Sequence, residues 1–508
     1  MVERYYIVGA DIGTTATKIA LIDFKGKIVT IANVEHNLIT PSALEVEADI
    51  ETLWHSFKRG VKAVLSESKV EPESVKAIGL SVQGETLLAL GKDGRPLRKA
   101  IIWLDNRAQE EAKILKEKFG NEECYKITGQ VKFVPTWPAS KILWLRRHEP
   151  NVFNQVFKFL LVEDYFLWKM TGLFISEGSL LCSTCYWNIV TKNWWNEMLD
   201  FLGITQDHLP EIREPGENIG NIAPKIAEEF GLTSETTVST GALDNACGAI
   251  GVGNVKPGIF SVSIGASLAI CATLEKLAFD PKGRIPIHYH GIPDVYMAHT
   301  FTTGGMALRW FRDTFCEMEK HVARLKRKDV YKLIDRKVSQ IIPGSEGLIM
   351  LPHLQGAMAP ESNPKAKGVF FGVTLRHKKQ HFARSIMEAI ACNVRRNIDA
   401  LQEWGIKVHE IKVLGGGAKS RVWNQIIADV TKKPVITTRN AENAACLGAA
   451  ILAGTAAKIF KNLQSAVENS VFIKERFEPK QENFKIYDEA YAKYKELYEN
   501  LIPLFEAS

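Results

Sequence analysis

The stretch VGADIGTTATKIALID, Val8 to Asp23, sets a carboxylate, Asp11, inside an apolar run ahead of Gly13, Thr14 and Thr15. A buried carboxylate without a partner is costly, so its presence calls for a cation or a set of donors. The flanking residues read as a hairpin, residues 5–11 and 18–23, with residues 27–34 returning as the third strand of an antiparallel meander. Tight turns of this kind bring backbone N–H groups together and can cradle phosphate oxygens. Asp11 would then hold a magnesium ion, directly or through water, beside a nucleotide phosphate, with Lys18 adding a positive charge. The plainer alternative is an ordinary hairpin turn that Asp11 caps.

Outward from this hairpin, Ile50, Leu53, Trp54, Phe57, Val61 and Val64 fall on one helical face, with Asp49 available as cap. Residues 75–82 and 86–90 read as strands, and KDGRP as a turn. The segment GALDNACGAIGVGNVKPG, Gly241 to Gly258, is rich in small residues and suits a hinge, so the lobes are divided as 1–247 and 248–508. Residues 258–273 then repeat the opening plan, two strands flanking Gly265, Ala266 and Ser267. A long helix over 382–403, a strand over 410–414, the triple glycine Gly415, Gly416 and Gly417, and a helix from about Ser420 follow. A small-residue helix spans 443–453, and a last helix, 487–501, carries aromatics at core spacing.

The 508 residues exceed one ordinary core, and 46% hydrophobic with 24% charged content is that of a soluble globular chain. The net charge of +6 is spread without a dense basic block, which argues against nucleic acid as a partner. The eight cysteines are scattered in apolar settings, as suits a reducing cytoplasm, and the Cys182, Cys185 pair lacks the further ligands a zinc site needs. No apolar run is long enough to span a membrane.

Three further places could carry chemistry. Asp244 opens a putative helix among small residues beside Asn245; it could accept a proton from an attacking hydroxyl, or act as an N-cap. Gln83, Glu85, Trp103 and Asp105, with Arg107, suit a small polyhydroxyl ligand, the ring stacking on C–H faces. A surface salt bridge between Asp105 and Arg107 is the alternative. The triple glycine, with Asn424 on the next helix, could lie against a purine, or be only a tight strand-to-helix turn. The chain lacks the GxxxxGK[ST] loop, so any nucleotide is held differently.

In this order the pieces resemble the FGGY carbohydrate kinases, whose architecture is that of actin, hexokinase and the heat-shock chaperones. The resemblance covers nearly the whole chain. GVFFGVTLRHKKQHFARSIME, Gly368 to Glu388, agrees with the family's second signature through Gly368, Phe370, Gly372, Val373, His381, Phe382, Ser385 and Glu388. PASKILWLRRHE fits the first signature through Pro138, Lys141, Trp144 and His148, with Thr136 departing from it. The resemblance implies two ribonuclease H-like α/β lobes of the actin and hexokinase ATPase type, with mixed sheets, covering helices and a cleft between them.

It also implies ATP and Mg2+ as cofactors. Asp11 looks like the metal residue, Gly13, Thr14, Thr15 and Lys18 the first phosphate motif, and Gly265, Ala266 and Ser267 the second. Gly304 and Gly305 in TGGMALRW resemble a segment near the nucleotide, Gly415 to Gly417 with Asn424 the adenosine motif, and Asp244 the catalytic base. The LDNACGAIGVG segment is nearest the xylulokinase form. Glycerol kinases carry Arg-Glu where this chain has Gly84 and Glu85, and xylulokinases commonly Met-His. The expected reaction is ATP-dependent phosphorylation of a terminal hydroxyl of a small sugar, a ketopentose such as D-xylulose. Glycerol, ribulose, erythritol and gluconate are alternative acceptors, and an actin-like ATPase without an acceptor is the reading from a different class. A homodimer is the commonest assembly for such a chain.

Overall fold

The computed structural model describes residues 5–507. Tyr6–Ile12, Ala16–Asp23 and Ile28–Glu35 form the antiparallel meander. Val75–Val82 joins Tyr6–Ile12 in parallel, and Thr237–Ser239 and Asn218–Asn221 extend a seven-stranded sheet, with Ala242–Leu243 also on Val75–Val82. The helix Ile50–Ser68 covers one face; Asp49 caps it by accepting the Glu51 N–H, and Trp54 and Phe57 pack on Phe166 and Phe230.

A second seven-stranded sheet repeats the plan. Ile259–Ile264 and Ser267–Leu274 are an antiparallel hairpin, and Glu410–Leu414 lies parallel to the first of them. The helices Lys379–Glu403, Arg421–Thr431 and Phe484–Glu506 cover this sheet, the last burying Tyr487, Tyr491, Tyr494 and Tyr498. The chain is thus a two-domain α/β fold with mixed sheets. Of the strand expected over 86–90, only Leu88–Leu90 forms; Thr86 instead donates to the Gly84 carbonyl, in a turn where Glu85 takes φ +65°.

The glycine-rich segment read as a hinge forms an α-helix, Asp244–Gly251, that starts at the residue expected to open it, and the division drawn at 247/248 falls inside that helix. Its partner is the helix Ala444–Ala456, which lies beyond the triple glycine in the sequence and packs on the first sheet as well. Glycines permit both contacts. A Cβ on Gly448 would lie 1.9 Å from the Cys247 carbonyl oxygen, and one on Gly9 2.0 Å from that of Cys446. Backbones at that distance admit no side chain. The two small-residue helices therefore pack tightly on each other beside Asp244, and it is Asp244–Gly251 that also meets strands of both sheets.

Candidate active site

The register of the first hairpin pairs Asp11 with Lys18. Asp11 Oδ1 accepts the Ser81 hydroxyl at 3.0 Å, and burial raises its pKa, with Lys18 partly offsetting the rise. Lys18 Nζ reaches across the cleft to the Glu442 carbonyl at 3.1 Å. The turn at the hairpin tip is tied to its surroundings by side chains. Thr14 Oγ1 accepts the Trp103 indole N–H at 2.8 Å and donates to Gln83 Oε1 at 3.2 Å. His36 lies 3.1 Å from the Thr14 carbonyl through Nε2, and its backbone N–H donates to Thr15 O.

The second hairpin is held differently. Gly305 N–H donates to Gly265 O and Met306 N–H to Ala266 O, at 2.9 and 2.8 Å. Gly304 makes this approach possible, since a Cβ there would sit 2.3 Å from the Ser267 carbonyl carbon. Gly415, with φ +77°, lies against the Ile264 backbone at the end of the same hairpin, and Gly417 packs on the Ile264 side chain. Sequence reasoning set these motifs far apart in the chain, and the fold makes them neighbours.

Asp244 stands between the hairpins. It occupies the first position of its helix, with Leu243 as N-cap, so the capping alternative is not its role. Asn245 donates to Asp244 Oδ1 from its backbone N–H at 2.7 Å and from its side chain at 2.9 Å, and Oδ2 has no donor among the described residues. Burial, with the Asp11 carboxylate adding to it, pushes the Asp244 carboxyl up to about 7. Asp11, Asp244 and Asn245 share a cavity of about 200 Å³ with Ser263, Ala269, Gly415 and Glu442. Two carboxylates on one small polar cavity, with Ser81 behind one of them, form an all-oxygen donor set. Such a set suits a hydrated Mg2+, which takes one or two carboxylates and keeps its remaining positions for water and phosphate.

The residues expected to meet a polyhydroxyl ligand divide. Gln83 and Trp103 meet at Thr14. Glu85 lies close enough to Asp244 for its charge to be felt; burial, opposed by Lys141, pushes its carboxyl up to about 8. Asp105 does not face a ligand. Its carboxylate is fully buried, takes a bidentate contact from Arg107, and accepts the backbone N–H groups of Val46 and Arg107. The pair is neither on the surface nor free, and Arg107 itself also binds Glu47 and lies 4.9 Å from the Trp144 ring centroid. Asn424 is 1% exposed; its amide nitrogen closes the glycine turn by donating to Ala418 O, and its Oδ1 has no partner among the described residues.

Sequence reasoning assigned no site role to Lys141, Ser81 or His36. Lys141 donates to the carbonyls of Glu85, Ile102 and Ile101 at 2.8, 3.0 and 3.4 Å, and burial lowers its pKa to about 7. A lone lysine in the apolar helix stretch ASKILWL was its signal. Cys182 and Cys185 are buried, and Cys182 Sγ accepts the Tyr289 N–H. Among the described residues no helix is long and apolar enough to cross a membrane.

Comparison with known proteins identifies the family. Residues 6–251 match the N-terminal domain, and residues 261–457 the C-terminal domain, of the FGGY family of carbohydrate kinases. The chain is 32% identical to the xylulose kinase of Bacillus subtilis (strain 168) over 494 residues, 97% of this chain and 96% of that one. It is also 32% identical to the gluconokinase of the same organism over 449 residues, 88% of this chain and 86% of that one. The crystal structure of ligand-bound xylulose kinase from Lactobacillus acidophilus superposes with a TM-score of 0.89 at 27% identity, covering 98% of each chain. With both domains of the family present in order and one cleft lined from both, the chain belongs to the FGGY family of carbohydrate kinases and is a sugar kinase.

Proposed function

We propose that the chain transfers the γ-phosphoryl group of ATP to a terminal hydroxyl of a neutral ketopentose such as D-xylulose, with Asp244 as general base. The observation that carries this reading is the uncommitted Oδ2 of Asp244 in the cavity that Asp11 also lines. A base is most effective when its pKa lies near the working pH, and a carboxyl pushed up to about 7 meets that condition. Asp244 takes the hydroxyl proton as the sugar oxygen bonds to the γ-phosphorus; the bond to the β,γ-bridging oxygen breaks, and ADP leaves with that electron pair. Magnesium, when held by Asp11, supplies charge neutralisation at the phosphates.

In this reading residues 1–247 carry the sugar and the first phosphate turn, and residues 248–508 the second turn and the adenosine motif. Gln83, Glu85 and Trp103 face the sugar. Gly13, Thr14, Thr15 and Lys18 meet the phosphates from one side, and Gly265 to Ser267, backed by Gly304 and Gly305, from the other. Asp105 and Asn424 shape these surfaces from behind. Closure of the lobes excludes water, so that the hydroxyl rather than water receives the phosphoryl group.

The charges favour a neutral acceptor over a sugar acid. Lys141 spends its three donors on backbone carbonyls, and Arg107 is bound by Asp105 and Glu47. Glu85, its carboxyl pushed up to about 8, brings no cation to meet the carboxylate of a gluconate. The test is ADP release with ATP and Mg2+ across D-xylulose, D-ribulose, glycerol, erythritol and gluconate. The highest kcat/KM is expected with a ketopentose. A higher value with gluconate overturns the neutral-acceptor assignment, and release that no acceptor stimulates overturns the assigned acceptor class.

A further inference from the structure

Lys141 stands inside the helix Pro138–His148 with its side chain fully buried. A buried ammonium is costly unless its hydrogens find acceptors, and here three carbonyls supply them. It donates to Glu85 O at 2.8 Å, to Ile102 O at 3.0 Å and to Ile101 O at 3.4 Å. The Ile102 and Ile101 carbonyls also accept backbone N–H groups, from Asp105 and Leu87. The Glu85 carbonyl takes no backbone N–H among the described residues, so Lys141 is what holds it.

That carbonyl belongs to a strained residue. With φ +65°, Glu85 is in the left-handed region, which a residue with a side chain keeps only where its surroundings fix it. Two bonds do so: Thr86 N–H reaches across the turn to Gly84 O, and Lys141 takes the carbonyl of Glu85 itself. The other two carbonyls lie at the end of the strand Ala100–Ile101 and directly before Trp103. One ammonium therefore fastens the turn that carries Glu85 to the segment that delivers Trp103. Thr14 holds the same tryptophan by its indole N–H, so ring and backbone are fixed from different sides.

We propose that Lys141 is a positioning residue for the acceptor: it fixes Glu85 and Trp103 at the spacing that one sugar fits, and so sets acceptor selectivity without touching the sugar. Its hydrogens are spent on the protein, which leaves none for a ligand. The inference rests on the reading that Glu85 and Trp103 face the sugar. It adds to that reading a buried side chain, behind both residues, on which their relative placement depends.

Lys141→Met tests this, since it keeps the apolar length of the side chain and removes the ammonium. Acceptor KM is expected to rise about tenfold with ATP KM within about twofold, and the ratio of kcat/KM between D-xylulose and D-ribulose to change about threefold or more. Lys141→Gln, one atom shorter and with two donors, carries the same readouts if the first variant does not fold. In a Glu85→Gln background, Lys141→Met should raise acceptor KM less than about threefold, because residues that act through one contact are not additive. The Trp103 indole N–H resonance of the sugar-free chain, identified by its loss in Trp103→Phe, should move in Lys141→Met whatever the acceptor is. An unmoved resonance, a parallel rise of both KM values, or full additivity with Glu85→Gln overturns the positioning role. A moved resonance with acceptor KM unchanged in Glu85→Gln and in Trp103→Phe overturns the sugar-face reading instead, and the tie between the two segments stands.

Discussion

At the first hairpin, Thr14 is held by Trp103 and Gln83, Asp11 by Ser81, and the turn backbone by His36. At the second, the carbonyls of Gly265 and Ala266 take, among the described residues, only backbone N–H groups, and glycines make the approach possible. The two share a backbone plan, an antiparallel pair beside a parallel strand. Their chemistry differs. The first carries a carboxylate and is tied through one hydroxyl to Gln83 and Trp103, which the proposed function makes the link between phosphate and sugar; the second is a backbone cradle that depends on shape. Repetition of a fold thus leaves each copy free to specialise.

Substitutions can break this contrast. The largest effect is expected at Asp11: Asp11→Asn should lower kcat/KM about 100-fold and raise the Mg2+ concentration needed for half-maximal rate. An unchanged magnesium requirement would remove Asp11 from the metal role. Gly304→Ala tests the backbone cradle. A methyl group 2.3 Å from the Ser267 carbonyl carbon forces the turn to move, at about 1–3 kcal/mol, so KM for ATP should rise roughly tenfold. A normal KM for ATP would show that the turn does not meet the nucleotide. The pair Thr14→Val and Ser267→Ala sharpens the contrast. The first leaves the Trp103 indole without its acceptor, at about 1 kcal/mol, and should raise sugar KM roughly fivefold. The second should change either KM less than about twofold, because its hairpin is held by backbone. Equal effects in the two variants would contradict the division of labour.

Much of this was legible in the sequence where local chemistry speaks. Asp11 in an apolar run, the Gly-Thr-Thr turn and its echo at Gly265 to Ser267 gave the two hairpins, because period-two alternation and turn residues act over a few positions. The helix Ala444–Ala456 was legible as a helix, but not its place. Its apolar small residues face every direction, so nothing in its own pattern says which sheet it meets; the signal lay at Gly9, a glycine inside a strand. Asp105 beside a tryptophan reads like a ligand residue until Arg107, two positions on, is seen to close on it inside the protein. The second signature served recognition more than chemistry. Its Glu388 binds Arg384, Ser345 and the Gly344 N–H, which holds a loop to a helix.

The acid limb of the rate profile bears on the residue between the hairpins. A base must lose its proton before it can accept one, so with a folded-state carboxyl pushed up to about 7, kcat/KM should fall about tenfold per pH unit below that value and level off above it. A profile flat down to pH 5 would place the titrating group elsewhere. The most direct measurement is turnover and ATP affinity of Asp244→Asn side by side with the wild type. Turnover about 100- to 10,000-fold lower, with ATP affinity within about threefold, is the expected result. A variant that keeps more than about a tenth of wild-type turnover would show that Asp244 is not the base.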